Sequence, residues 1–193
     1  MKKMPTEIIC DDFPQIETKR LILKEISVKD CNYLFEIFSD EEVLKYYDIE
    51  PLKTLEEANN LIQLFCRRFK NKKGIRWGIH LKNTDKLIGT CGYQSIDIQS
   101  LRTDIGYEMS KEYWGQGLMK EALQAIIGFG FNNMSLNRIQ ALVEPNNKNS
   151  IQLLHRIGFS EEGILSEYEH YKGVFKDLTI LSLLKSKYTL AKS

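Results

Sequence analysis

The residues best equipped for chemistry lie in one stretch. A strand pattern, Asp104-Ile-Gly-Tyr-Glu-Met109, is followed by Trp114-Gly115-Gln116-Gly117-Leu118-Met119-Lys120 and then by an apolar helical stripe. Glycine lacks a Cβ, so the backbone can turn sharply and approach a ligand closely. The first free N–H groups of the helix then point at an anion, and the helix dipole favours negative charge there. A diphosphate fits such a cradle. The spacing differs from the G-x-x-x-x-G-K-[ST] phosphate loop. Lys120 stands where the dinucleotide-binding G-x-G-x-x-G needs its last glycine. Taken alone, Gly-x-Gly is equally a tight strand–helix turn. Asp104 and Glu108 are four apart in a strand, so they share a face and offer two candidate proton acceptors.

The rest of the composition narrows the classes. The 193 residues are 42% hydrophobic and 27% charged, with net charge +1. That is an ordinary globular balance with no global field toward nucleic acid or membrane. Cys10, Cys31, Cys66 and Cys91 form no C-x-x-C pair. His80, His155 and His170 form no H-E-x-x-H. A zinc site or disulfide framework is not expected, and scattered thiols fit a reducing compartment. Met1 to Glu7 is not followed by the apolar run of a signal peptide, and no stretch approaches the ~20 apolar residues of a membrane span. A cytoplasmic protein is the expectation.

The elements that must hold the loop are legible from periodicity. Arg20 to Lys24 reads as a first strand. Ser27-x-x-Asp30, Ser39-x-x-Glu42 and Thr54-x-x-Glu57 are three helix-start signals, the last a capping box. The helix after Thr54 is expected to bury Leu61, Leu64 and Phe65, and its basic end, Arg67 to Lys73, reads as solvated. Arg76–Leu81 and Leu87–Tyr93 flank a turn and form a hairpin. Beyond the glycine loop, Leu118, Ala122, Ala125, Ile126 and Phe129 make one helical stripe. Arg138 to Glu144 alternates as a strand and stops at Pro145. A short helix, Ile151 to Ile157, ends at Gly158, and two strands close the chain near Ser166–Lys172 and Asp177–Leu184. One α/β domain over residues 1–193, with a mixed sheet, is the economical reading.

At this point the chain resembles a known family. Asp104 to Leu123 is similar to the acetyl-CoA motif of the GNAT N-acetyltransferases, and most of all to their RimJ/RimL branch, which acetylates N-termini of ribosomal proteins. Ile16 to Leu23 resembles that branch's opening strand, and Leu87 to Tyr93 its central hairpin. Asn147-x-x-Ser150 with the following helix and Gly158-Phe159 resembles its second cofactor motif; Glu162-Gly163 and the Asp177 strand match its end. The resemblance spans roughly residues 16 to 188 and rests on several ordered motifs. The family's loop pattern is [Q/R]-x-x-G-x-[G/A]. Here Trp114 replaces the first residue, a change common in that branch, and Met119 replaces the last.

The resemblance implies a fold, a donor and a site. The fold is a central twisted mixed sheet flanked by helices, and the donor is acetyl-CoA. The pyrophosphate would lie on Trp114, Gly115, Gln116, Gly117, Leu118, Met119 and Lys120. The strand ending at Met109 would splay from its neighbour, with the pantetheine arm in the gap and the Met109 N–H facing the thioester oxygen. Asn147 would orient the arm, and Ser150 would hydrogen-bond or protonate the departing sulfur. In a plainer role Asn147 shapes a turn and Ser150 caps a helix. Asp104 occupies the place of a frequent family glutamate and is the preferred base, with Glu108 in reserve. Tyr46, Tyr47, Tyr168 and Tyr171 are candidates to line the acceptor slot, and His155 and His170 read as structural. The acceptor implied is an α-amine of a ribosomal or other protein; polyamines and aminoglycosides are alternatives. A non-catalytic acyl-CoA-binding module and a nucleotide-binding protein are the competing classes. No metal is called for, and a monomer or homodimer is expected.

Overall fold

The computed structural model describes residues 12–190, with side chains to residue 188. The readings of Met1 to Glu7 and Cys10 fall outside the described residues. In chain order the elements are β1 (Ile16–Glu17), β2 (Leu21–Glu25), α1 (Cys31–Phe38), α2 (Leu55–Lys70), β3 (Ile75–Leu81), β4 (Leu87–Tyr93), β5 (Arg102–Met109), α3 (Leu118–Asn132), β6 (Arg138–Val143), α4 (Lys148–Arg156), β7 (Ser160–Tyr171), β8 (Val174–Leu184) and α5 (Lys185–Leu190). The eight strands make one sheet in the order β1-β2-β3-β4-β5-β6-β8-β7. β5 and β6 pair in parallel, and the other neighbours are antiparallel.

Strand alternation divides the apolar residues between two cores. Ile75, Trp77 and Ile79 of β3 join Cys91, Tyr93, Leu123, Ile126 and Phe131 in the larger one, under α3. Ile26, Leu34, Ile37, Phe38, Leu44, Ile62 and Leu87 form the smaller one, beneath α1 and α2. β4 is buried along its whole length, which explains why Leu-Ile-Gly-Thr-Cys-Gly-Tyr is nearly free of charge.

Two local expectations are corrected. Ser39 starts no helix: it ends α1, its N–H bonding Phe35 O at 2.8 Å, and residues 41–46 are turns. Asp40 Oδ1 takes the Glu42 N–H at 2.9 Å instead, and Leu44 enters the smaller core, which a helix continued in register does not require. On α2, Leu61 and Phe65 pack against the smaller core as expected, but Leu64 is exposed, and the buried positions are Ala58, Ile62 and Phe69. Tertiary contacts set this rotation: Ile62 enters the smaller core, and Phe69 stacks on Phe13 with ring centroids 4.9 Å apart. Both sides of the Thr54–Glu57 capping box form as expected.

A buried His–Asp pair ties β3 to the turn before α1. His80 Nε2 lies 3.0 Å from Asp30 Oδ1, and His80 is fully buried. The Ser27 N–H donates to Asp30 Oδ2 at 2.8 Å. Burial pushes the Asp30 carboxyl up, but the bonds from His80 and Ser27 outweigh it, so its pKa lies below the ordinary 3.8. A depressed carboxylate contributes stability above its unfolded pKa and loses it as pH falls through the folded one. Asp30→Asn is therefore expected to lower Tm at pH 7, with the gap to wild type closing below pH ~4. Thermal unfolding across pH 2.5–7 checks this, and a gap that persists at the acid end contradicts it.

Candidate acyl-transfer site

The site begins where two strands part. The β5–β6 ladder runs Arg102↔Arg138, Thr103↔Ile139, Asp104↔Gln140 and goes no further. On the other edge of β5, the Gln94 N–H bonds Asp104 O at 2.8 Å and the Ser110 N–H bonds Ile88 O at 2.9 Å. Backbone groups alternate in an antiparallel ladder. The Tyr107 and Met109 N–H groups therefore turn away from β4, into the widening gap beside β6. This is an open row of donors, sited where a linear, amide-containing chain would add itself as a partner.

At the end of that gap stands the glycine loop. A 3-10 turn, Lys111–Tyr113, intervenes between β5 and the loop, a detail the sequence pattern did not carry. Gly115 and Gly117 have φ of 72° and 73°, the left-handed region that glycine enters without steric cost. Space is open above both: a Cβ on Gly115 would meet nothing within 4 Å, and one on Gly117 only Arg20 Nη2 at 3.7 Å. The loop is braced from three sides. Trp114 Nε1 donates to Met109 O at 2.7 Å, Gln116 Nε2 to Glu112 O at 2.8 Å, and Arg20 Nη1 to Gln116 O at 3.0 Å. Arg20 is itself fixed by Glu121, with Nε 2.7 Å from Oε2. These bonds occupy carbonyls, and among the described residues the Leu118, Met119 and Lys120 N–H groups at the start of α3 have no acceptor, as an anion cradle requires. Leu118 is buried, Met119 packs against the larger core, and Lys120 lines the cleft. Met119, one of the two departures from the family pattern, thus packs against the larger core and also borders the cleft.

The cleft has a volume of about 850 Å³ and takes in the loop, the gap and the ends of α4, β7 and the 41–48 segment. Asn147 is the N-cap of α4, its Oδ1 accepting the Ser150 N–H at 3.2 Å. Ser150 is accordingly not the cap: it lies in the first turn, with its hydroxyl 2.7 Å from the Tyr107 hydroxyl. Tyr46, Tyr47 and Tyr171 line the cleft, while Tyr168 is exposed on β7 outside it. His155 Nδ1, in the last turn of α4, faces Phe159 O at 3.1 Å, and the His170 ring packs on Phe175.

The carboxylates are not equivalent. Glu108 is bound to Arg76 Nη2 and to the Thr90 hydroxyl, with both charged side chains at most 5% exposed. Asp104 Oδ1 accepts from Gln140 Nε2 at 2.7 Å. Glu144 accepts from the Tyr171 hydroxyl at 2.6 Å and faces Lys176. The carboxylate of Glu169, half-buried on β7 and lining the same cleft, makes no hydrogen bond or ion pair among the described residues. Burial raises its carboxyl above the ordinary 4.5, and the negative charges of Asp48 and Asp104 raise it further. The sequence reading missed this residue. β7 shifts register between Leu165 and Glu169, and Glu167 has φ 49°, so alternation along the strand does not say which side chains face inward.

A parted parallel pair, a glycine loop at the end of the gap and Glu169 together line one cleft on a mixed sheet. Residues 20–160 match the Acetyltransferase (GNAT) domain model. The chain is 38% identical over 175 residues to the uncharacterized N-acetyltransferase YoaA of Bacillus subtilis (strain 168), covering 91% of this chain and 99% of the relative. It is 29% identical over 184 residues to the ribosomal protein uS5 alanine N-acetyltransferase of Escherichia coli (strain K12), covering 91% and 93%. Its fold matches the crystal structure of a GNAT-family acetyltransferase from Bacillus anthracis with TM-score 0.79 and 25% identity, over 90% and 99% of the two chains. The chain belongs to the GNAT acetyltransferase family, and it is an N-acetyltransferase. Among the described residues no helix is long and apolar enough to cross a membrane.

Proposed function

We propose that the protein transfers acetyl from acetyl-CoA to the α-amine of a protein or peptide by direct attack on the thioester. The parting of β5 from β6 after Asp104 carries this reading, because it opens the Tyr107 and Met109 N–H groups between the cradle and Glu169. The pyrophosphate sits on the Gly115–Lys120 amides and the pantetheine arm in the gap, with Asn147 at its side. The neutral amine attacks the carbonyl carbon, and the oxyanion forms against the Met109 N–H. The C–S bond breaks, and Ser150 hydrogen-bonds the sulfur as it leaves. The sulfur leaves as a thiolate, reasonable for a thiol of pKa ~8.5, and takes its proton from solvent.

Glu169 takes the proton from nitrogen in this scheme, with Asp104 beside it. Asp104 is held by the Gln140 amide, whereas the Glu169 carboxylate is unpaired among the described residues and is raised above its own ordinary value by burial. Glu108 serves the fold rather than the proton. An α-amine with pKa ~7.7–8.0 asks less of the base than a lysine at ~10.4. The uS5 alanine N-acetyltransferase of E. coli acts on such an amine, and a ribosomal acceptor would place the protein in the cytoplasm. A second reading is a polycationic small amine. The trio Asp48, Asp104 and Glu169 favours it, because none of the three is neutralised by an ion pair among the described residues.

Thiol release from acetyl-CoA, scored with free-N-terminal peptides and with polyamines, separates the two. In the wild type kcat/KM is expected to fall as pH drops through a pKa above 4.5. Glu169→Gln should remove that limb and lower kcat by about 10²-fold or more. A limb retained in Glu169→Gln but lost in Asp104→Asn would move the base to Asp104; retention in both would end the carboxylate-base scheme.

A further inference from the structure

Tyr107 has a hydrogen to place. It stands on the open edge of β5 with its ring against the larger core and its hydroxyl in the cleft. Among the described residues the acceptors in reach of that hydroxyl both belong to Ser150: Oγ at 2.7 Å and the backbone carbonyl at 3.5 Å. The carbonyl is at the outer limit of a hydrogen bond, and the Oγ is at the ideal O–H···O separation. Were Ser150 the donor, the tyrosine hydrogen would be left with the distant carbonyl alone, and a partly buried donor without a good acceptor is costly. With Tyr107 donating, one Ser150 lone pair is occupied and the Ser150 hydrogen is turned away from the tyrosine. Burial pushes the Tyr107 hydroxyl up to about 12, with the Ser150 bond pulling the other way, so it keeps its proton at neutral pH and remains a donor.

Ser150 is constrained at its backbone too. Its N–H is held by Asn147 Oδ1 at 3.2 Å in the first turn of α4. Its hydroxyl is therefore fixed from two sides: backbone position by the helix cap, and hydrogen direction by the tyrosine. A hydroxyl that already accepts a hydrogen bond is also a stronger donor, because chains of hydrogen bonds polarise one another.

We propose that Tyr107 is a positioning residue that donates to Ser150 Oγ and so aims the Ser150 hydrogen at the sulfur leaving acetyl-CoA. This rests on the reading of Ser150 given above. Tyr107 does not touch the substrate's reacting atoms and gives up no proton. It fixes the orientation of a group that stabilises the thiolate as the C–S bond breaks. A free serine hydroxyl has three staggered hydrogen positions; the tyrosine's own hydrogen fills one of them, so the Ser150 hydrogen is confined in advance to the two that face away from it.

The test is a double-mutant cycle of Tyr107→Phe, Ser150→Ala and the pair, with kcat, KM for acetyl-CoA and the titration of the bound CoA thiol as readouts. Phenylalanine keeps the ring in the core, so the change is confined to the hydroxyl. Each single variant is expected to lower kcat about tenfold, with KM for acetyl-CoA within about twofold of wild type. The double variant should be no slower than Ser150→Ala, because both changes remove one coupled device. The thiol of bound CoA, followed by thiolate absorbance in the ultraviolet, should titrate at lower pH in the wild type than in either variant. A merely structural tyrosine would not produce that shift. Multiplicative losses, a wild-type rate in Tyr107→Phe, or an unmoved thiol titration in that variant would overturn the proposal while Ser150→Ala remains slow. A wild-type rate in Ser150→Ala would instead bring down the reading of Ser150 itself.

Discussion

Gly117→Glu is expected to abolish calorimetrically detectable binding of acetyl-CoA, a loss of at least about 10²-fold in affinity. Two physical terms act together. Gly117 holds φ 73° and ψ 8°, a conformation that costs an L-residue about 1–2 kcal/mol. The new carboxylate also lies at the N-terminus of α3, where the diphosphate's own negative charge is to sit. Packing is not the obstacle, since a Cβ would meet only Arg20 Nη2, at an ordinary 3.7 Å. Gly117→Ala therefore isolates the backbone term and should weaken binding by about tenfold. Because the strain is local, Tm should fall by only a few degrees, roughly 2–4 °C per kcal/mol in a chain of this size. Folded Gly117→Glu protein with undiminished affinity would move the pyrophosphate off this loop.

The loop was legible because its chemistry is local: two glycines, the strand before and the helix after are contiguous, and each has its own sequence signature. What braces it was not. Arg20 reaches Gln116 O and Glu121 from the opening of the chain, and nothing in the spacing of Thr18-Lys19-Arg20 announces a partner so distant in sequence. The same limit governs the carboxylates. Period-2 alternation correctly placed Asp104 and Glu108 on one face of β5. It could not say that Arg76 would cross from β3 to neutralise Glu108, leaving the two acids in different electrostatic states. Glu169 lay beyond the method for another reason, because the irregular register of β7 breaks the alternation that assigns faces. Helix starts divided the same way. Thr54 and Glu57 complete a capping box within one turn, whereas Ser39 carries the same local signal but closes α1, and the neighbouring Asp40 takes the Glu42 N–H instead.

Removing one member of the Arg76–Glu108 pair is expected to cost about 3–5 kcal/mol of stability, because the partner's charge is left buried and uncompensated. The pair is closely enclosed. Arg76 Nε donates to Thr90 Oγ1 at 2.6 Å and its Nη2 to the Tyr47 hydroxyl at 3.0 Å, and the Thr90 hydroxyl turns its own hydrogen to Glu108. Burial alone would weaken the guanidinium's hold on its proton, and the adjacent Glu108 carboxylate more than restores it. Tm should fall by roughly 6–20 °C in Arg76→Met. Arg76→Met with Glu108→Met should recover most of that loss, since a buried ion pair replaced as a unit by apolar side chains is often close to neutral. Glu108→Gln, assayed well below its own Tm, should keep kcat within about threefold of wild type, a loss below the ~10² of a missing general base. Wild-type stability with a hundredfold lower kcat in Glu108→Gln would reverse the assignment: Glu108 would then be the base, and its bond to Arg76 the means of setting its basicity rather than of holding the sheet together.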